Sequence, residues 1–398
     1  MAHNPLLAAL LLAATGVPVY LLSGPRNVRV LAAGRKTSSA PVGWDRQAAA
    51  RYLDNREISW QGWDHAQRDH GTVCVSCHTQ APFALARPAL RADLGETGPS
   101  AAEQAMLANI ETRVRGWNEM KPFYSDALSG PGKEAQSRSA ESVLNAVILT
   151  AYDKRGEGLT AVTRTAFDNA WALQLRSGPD AGAWNWQNFN YAPWESNDSQ
   201  YYWAAQMAVA TAHICRQPRP RKWTLLFSAT EPASVCADPA TAADLASLLA
   251  YLRSHFEAQP LLNKVMALWA DSHFPGILTH AQERKLVGDL NRLQHDDGGW
   301  SLTDLGKWQR RDKTPLETRS DGVATGLIVL VREQRTINGR SIPEVARGID
   351  WLAANQDKAT GAWPAWSLNK NRDPQSNVGK FMSDAATGYA VLALETDQ

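Results

Sequence analysis

Five consecutive residues, Cys74-Val75-Ser76-Cys77-His78, specify a chemistry more directly than any other stretch of this chain. Two thiols three positions apart, with an imidazole immediately after them, are the arrangement that attaches a c-type haem. The cysteines add to the two vinyl groups of the porphyrin, and the histidine gives the iron an axial nitrogen. One turn of helix would present both thiols together. The expectation is one covalent haem c held by Cys74, Cys77 and His78, with His78 on the iron. The alternatives are a thiol redox pair and half of a zinc site. A zinc site needs four ligands, usually with a second close pair, and the other two cysteines, Cys215 and Cys236, lie far apart in sequence.

Other residues could complete such a centre. A thioether from Met120, in GWNEMKPFY, or alternatively from Met382, in KFMSDAAT, would make the iron six-coordinate and favour electron transfer, whereas an open position admits peroxide or oxygen chemistry. His65 and His70 lie close in sequence. Four acids, Glu141, Asp198, Asp321 and Asp384, precede or open helical stretches. They read either as helix N-caps or as an acidic rim that binds substrate or relays protons as the catalytic groups. Trp186, Phe189, Tyr191, Trp194, Tyr201, Tyr202 and Trp203 crowd one segment, to line a pocket or to pack a long loop. Arg310, Arg311 and Lys313 read as a solvated charge run.

The elements that must position these residues show themselves through tryptophan, which at 16 residues is twice as common as phenylalanine at 8. Three segments share one pattern. An amphipathic helix (159–175, 279–294 or 342–356) leads to a Gly-rich turn ending in Trp184, Trp300 or Trp363. A loop follows, and then a helix rich in small residues (196–212, 319–331 or 382–395). Two further copies run through Trp117 into 140–153 and through Trp63 into 74–90, and 240–272 reads as a hairpin without its turn Trp. Six outer and six inner helices are the number that closes an α/α toroid, the alternative being an open solenoid. No sustained period-two apolar run argues for strands. The fold expected is therefore all-α, a six-hairpin α/α toroid filling residues 41–398 as a single domain.

Ahead of it, residues 1–40 read as a signal peptide or membrane anchor plus linker. Residues 5–22 are apolar, borderline in length between a secretory segment and a membrane span. Arg26, Arg29, Arg35 and Lys36 follow directly and fit an exported flank badly. Haem c is attached on the exported side of bacterial membranes, so the body is expected in the periplasm, anchored to the inner membrane if that segment is retained. In an oxidising compartment, Cys215 and Cys236 are expected to form a disulfide. A net charge of +1 gives no electrostatic argument for nucleic acid or an acidic membrane surface.

The strings LQHDDGGW (Leu293 to Trp300) and NQDKATGAW (Asn355 to Trp363) resemble the QW repeats of squalene-hopene cyclases and related terpenoid cyclases. The resemblance implies turns whose Gln and Trp tie outer-helix ends together, and a barrel around a mostly apolar cavity. It carries the fold further than the activity. The cyclases' Asp-X-Asp-Asp acid motif is missing here; His295-Asp296-Asp297 lies in a QW turn and Glu195-Ser196-Asn197-Asp198 is the other acidic cluster. The zinc ligand set of the related prenyltransferases cannot be assembled from the inner helices. The joining of a QW toroid to CxxCH resembles a bacterial group of such proteins.

In repeat register CVSCH opens the first inner helix, which would hang the haem at the mouth of the central cavity. The leading expectation is a periplasmic c-type haem protein that transfers electrons to a redox partner protein or oxidises a small apolar substrate. The other readings are a non-catalytic haem-bearing binding or electron-carrier module, and a terpenoid cyclase-like enzyme with a structural haem.

Overall fold

Ser100, Thr160 and Thr279 start helices in the same way. Each turns its hydroxyl oxygen onto the backbone N–H three residues on, at 3.2 Å. Glu103 and Gln282 return the favour to the backbone N–H of Ser100 and Thr279, completing two capping boxes. Such signals delimit the helices of a computed structural model that describes residues 43–153, 159–215, 236, 238–334 and 342–395. The N-terminal segment read as a signal or anchor lies outside the described residues. No helix among the described residues is long and apolar enough to cross a membrane.

Thirteen α-helices and no strand occur among the described residues, so the described part of the chain is all-α. One set is buried along most of its length: α2 (Gln80–Asp93), α5 (Lys133–Tyr152), α7 (Ser199–Cys215), α9 (Leu261–His273), α11 (Gly322–Glu333) and α13 (Asn377–Glu395). In α11 every residue from Gly322 to Arg332 is buried. A second set buries one stripe: α1 (Arg46–Gln61), α3 (Ala101–Arg115), α6 (Ala161–Ala172), α8 (Pro239–His255), α10 (His280–Arg292) and α12 (Pro343–Ala354). In α10 only Leu286 and Leu290 are buried. The short α4 (Asp126–Ser129) lies between α3 and α5.

The contacts of the buried set run α2 to α5, α7, α9, α11, α13 and back to α2. The second set flanks them, with α6 on α5, α8 on α7, α10 on α9, α12 against α11 and α13, and α1 against α13 and α2. Close approach needs small residues. A Cβ at Gly326 in α11 would stand 2.7 Å from the backbone of Tyr389 and Ala390 in α13.

The turns of the three clearest repeats are built alike. Trp184, Trp300 and Trp363 donate their indole N–H to the carbonyls of Ala170, Leu290 and Leu352, at 2.6, 2.7 and 2.8 Å. Gln174, Gln294 and Gln356 each donate both to a glycine carbonyl in their own turn and to a carbonyl of the next flanking helix or its cap, Asp244, Glu344 and Asp45 respectively. Gln356 thereby fastens the last repeat to the N-cap of the first helix, and accepts the Asp45 N–H at 2.6 Å in return. The glycine after each Gln turn must stay bare. Gly298 has φ +94°, and a Cβ there would lie 2.7 Å from the Arg347 carbonyl.

Gln356→Ala is expected to cost about 2–3 kcal/mol, because it leaves buried carbonyl and amide groups unpaired at that seam. A urea midpoint equal to the natural protein's would refute this role.

Several boundaries differ from the sequence reading. The helix expected from Ala140 begins at Lys133, and the one expected from Met382 begins at Asn377. Their first turns carry charged and polar residues and so lack the apolar signal of the rest. Cys74 to Ser76 have no regular secondary structure and Cys77 to Thr79 form a turn before α2, so CVSCH precedes the helix rather than lying on one of its turns. Ser76 N is held by Gln80 Oε1 at 3.0 Å, which keeps this stretch out of the helical ladder. Cys215, at the end of α7, is disulfide-bonded to Cys236. Arg310 belongs to no solvated run: it is buried, and donates to Ser367 O at 2.9 Å, Pro315 O and Glu317.

Candidate functional site

The segments leading into α2, α5, α7 and α13 come together around one cavity of about 350 Å³. This is within the range of pockets that bury small ligands and cofactors. Cys74, Cys77 and His78 all line it. So do Trp60, Trp63, Phe123, Tyr124, Trp186, Tyr191, Trp194 and Phe381, which make its wall largely aromatic. Ala140 and Leu144 of α5 and Val378 and Met382 of α13 complete the apolar part.

Each flank of the CVSCH segment is pinned. Asn109 on α3 accepts the Val73 N–H at 2.8 Å and donates to the Val73 carbonyl at 3.2 Å. Trp60 on α1 donates to the Cys74 carbonyl at 2.7 Å. Gln80 donates to Glu57 Oε1 at 2.8 Å while accepting from Ser76. Glu57 is fully buried, and its Oε2 has no hydrogen-bond partner among the described residues. Burial pushes its carboxyl up to about 8, against the pull of hydrogen bonds from Gln61 and Gln80, so it is neutral at pH 7.

His78 stacks on Phe381 with ring centroids 3.7 Å apart and meets Trp60 edge-on at 5.2 Å. Burial, helped by the charge of Arg56, lowers its pKa to about 3, so the imidazole is neutral. Its Nδ1 lies 3.0 Å from Thr79 Oγ1 and 3.2 Å from Ser76 Oγ. The Thr79 hydroxyl donates to Asp384 Oδ2 at 2.7 Å. That hydroxyl therefore accepts from the ring, which fixes the proton on Nδ1 and leaves the Nε2 lone pair for a metal. Burial raises the Cys74 thiol to about 12 and the Cys77 thiol well above its ordinary value, an environment unlike that of a thiolate redox pair.

A haem fits these residues on three counts. The two thiols and the neutral imidazole share a cavity. The cavity is aromatic. Arg68 and Arg372, which also line it, each bury a guanidinium Nε without a hydrogen-bond partner among the described residues, as donors that carboxylates such as haem propionates would use. No group of three or more His, Cys, Asp or Glu among the described residues could hold a metal ion by itself.

Of the two methionines, Met382 lines the cavity and Met120 does not. The Met120 N–H bonds the Gly116 carbonyl at 3.0 Å, and this tight turn folds the side chain back over Gly116. His65 lines the rim, and His70 pairs with Asp69 at 3.1 Å.

None of the four acids lines the cavity. Asp321 is the N-cap of α11, accepting from Val323 and Ala324 at 2.9 and 3.0 Å. Glu141 and Asp384 sit inside helices, buried against Arg113 of α3 and Arg56 of α1. Asp198 is exposed just before α7. The third-repeat aromatics divide between two roles. Trp186, Tyr191 and Trp194 face the cavity, while Tyr201 donates to Leu252 O at 2.8 Å and Trp203 stacks on Trp186 at 5.0 Å.

The carboxyl that does face the cavity is Glu195. Its carboxylate takes part in no hydrogen bond among the described residues, and its backbone bridges to Tyr191. Burial raises it to about 7, with Lys133 drawing it down. The sequence places Glu195 and Asp198 in one acidic cluster, and Asp198, not Glu195, is the member expected there as the candidate acid. The flanking Trp194 was the available signal that this residue turns inward.

No protein-family model matches the chain, and no curated protein matches it.

Proposed function

We propose that this chain is a c-type haem protein whose six helical hairpins form an α/α toroid like that of the terpenoid cyclases. The observation that carries the reading is the meeting of Cys74, Cys77 and a neutral His78 in one aromatic cavity. The closed sequence of contacts from α2 through α13 back to α2, and the Gln and Trp turns, support the toroid. Cys74 and Cys77 would form the two thioethers, and His78 Nε2 would hold the iron. Trp60 and Phe381 exclude water from the imidazole, and Arg68 and Arg372 offer cationic donors to carboxylates. A haem bound there supplies one-electron exchange.

Electron transfer with a redox partner is the reading best supported, because Met382 provides a thioether in the same cavity. Oxidation of a small apolar substrate is the second, favoured by the unpaired Glu195 carboxyl, a group able to exchange a proton with a ligand. Attachment of haem c on the exported side of the membrane, together with the Cys215–Cys236 disulfide, supports a periplasmic location.

The test is expression with the cytochrome c maturation machinery, followed by a haem stain of the denatured protein. Wild type is expected to keep its haem through denaturation and Cys74→Ala/Cys77→Ala to lose it. An unstained wild type overturns the proposal. Spectra of the same material separate the two activities. A low-spin spectrum with a Met–iron charge-transfer band supports electron transfer, and a high-spin one that shifts with cyanide supports substrate chemistry.

A further inference from the structure

The cavity accounts for one side of the His78 ring. On the other side a chain of hydrogen bonds leads away from Nδ1 and ends on a buried ion pair contributed by the first and last helices. Thr79 Oγ1, 3.0 Å from Nδ1, gives its own proton to Asp384 Oδ2 at 2.7 Å. Asp384 on α13 also accepts from Arg56 Nε and Nη2 on α1, at 2.7 and 3.0 Å, and from the Tyr52 hydroxyl at 2.9 Å. Arg56 is steadied in turn by Asn377 Oδ1 at 3.0 Å. Thr79, Asp384 and Arg56 are all buried, so water does not compete for these bonds.

We propose that Thr79 and Asp384 are positioning residues that act on the iron through His78: a hydroxyl-relayed carboxylate that makes the imidazole a stronger donor and so favours the oxidised metal. This rests on the haem reading given above. A hydroxyl that donates to a carboxylate is a better acceptor than a free one, since each bond of such a chain polarises the next. The negative end pulls the Nδ1 proton towards Thr79, and electron density rises at Nε2, where the iron binds. Burial raises the Asp384 carboxyl, while the paired Arg56 guanidinium and the Thr79 and Tyr52 hydroxyls draw it back down, and the guanidinium balances part of the carboxylate charge. Ser76 Oγ, 3.2 Å from the same nitrogen and accepting the Thr79 N–H at 2.9 Å, is the remaining partner of Nδ1. Loss of the Thr79 hydroxyl therefore leaves the tautomer and ring orientation in place and removes only the link to the charge.

The test compares haem-loaded wild type, Thr79→Val and Thr79→Ser by redox titration, and by the proton resonance of the imidazole Nδ1–H in the reduced protein. Thr79→Val is expected to shift the balance between oxidised and reduced protein about tenfold towards reduced, which is about 59 mV upwards for a one-electron couple. Its Nδ1–H resonance moves upfield. Thr79→Ser, which keeps the hydroxyl, restores both. Asp384→Asn keeps the volume and an acceptor for Arg56 while removing the charge, and moves the potential in the same direction. A wild-type potential in haem-loaded Thr79→Val or in haem-loaded Asp384→Asn overturns the relay. Failure of the wild type to take up covalent haem is read separately, on the denaturing gel, and is failure of the haem reading itself.

Discussion

Glu57→Gln is expected to make the protein more stable than wild type at pH 8.5 and less stable at pH 4.5. Glu57 is fully buried with one oxygen unpartnered, and burial raises its pKa from 4.5 to about 8. Below the unfolded value the group is protonated in both states, and its contribution to stability is intact. Between the two values the unfolded chain ionises while the folded chain keeps its proton, so stability falls steadily as pH rises. Above the folded value the loss is complete. At 1.36 kcal/mol per pKa unit, the whole window is worth about 4–5 kcal/mol. Glutamine cannot ionise, which removes the slope. It does bury an unpaired amide group, a pH-independent cost of about 1–3 kcal/mol. The two stability curves should therefore cross, and urea midpoints from pH 4.5 to 9 measure this. Parallel curves would show that Glu57 is solvated, and would sink the assignment.

Arg113→Met is the second large effect, an expected loss of about 3–5 kcal/mol. Arg113 and Glu141 are both fully buried, joined by Nε to Oε1 at 2.5 Å and Nη2 to Oε2 at 3.1 Å. Removing one partner strands the other charge in the interior. The same guanidinium donates to Thr72 Oγ1 at 2.6 Å and to the Lys121 carbonyl at 3.0 Å. It therefore braces the strand-like stretch that runs into Cys74. Arg113→Met/Glu141→Leu removes both charges and is expected to recover most of the loss. A double variant as unstable as the single would show instead that the bonds to Thr72 and Lys121 carry the cost.

The regularities were legible in the sequence wherever one local rule repeats. Gln294 and Trp300, or Gln356 and Trp363, announce their turns because each bonds within or next to its own repeat. The Cys74-Val75-Ser76-Cys77-His78 string was legible because adjacency itself is the signal. Contacts made across the fold were not. Asp384 read as one of four similar acids, but its partner Arg56 lies 328 positions away, and no local pattern connects them. Glu195 and Asp198 stand three residues apart in one acidic cluster, yet only Glu195 lines the cavity. Arg310 sits in a visible charge run, yet it is buried and one of the carbonyls that hold it, that of Ser367, lies 57 positions further on. Helix starts were missed for a different reason. The opening turn of α5 is polar and that of α13 carries Val378 as its single large apolar residue, and apolar periodicity cannot report a turn with so few apolar positions.

The cavity has a history as well as a shape. Its first wall, Cys74 to His78, and its last, Phe381 and Met382, stand at opposite ends of the described chain, and the bond that joins them through Thr79 and Asp384 spans 305 residues. On the proposed periplasmic route the chain crosses the membrane unfolded before any haem is attached, and these two walls meet only when the exported chain folds. Until then the thiols and the imidazole exist without Phe381 stacked on the ring, without the carboxylate behind it, and without Gln356 to close the seam. If the haem proposal holds, these residues are accessible to a modifying enzyme before the exported chain folds and enclosed afterwards. The unfolded chain supplies an open door that the finished fold no longer has.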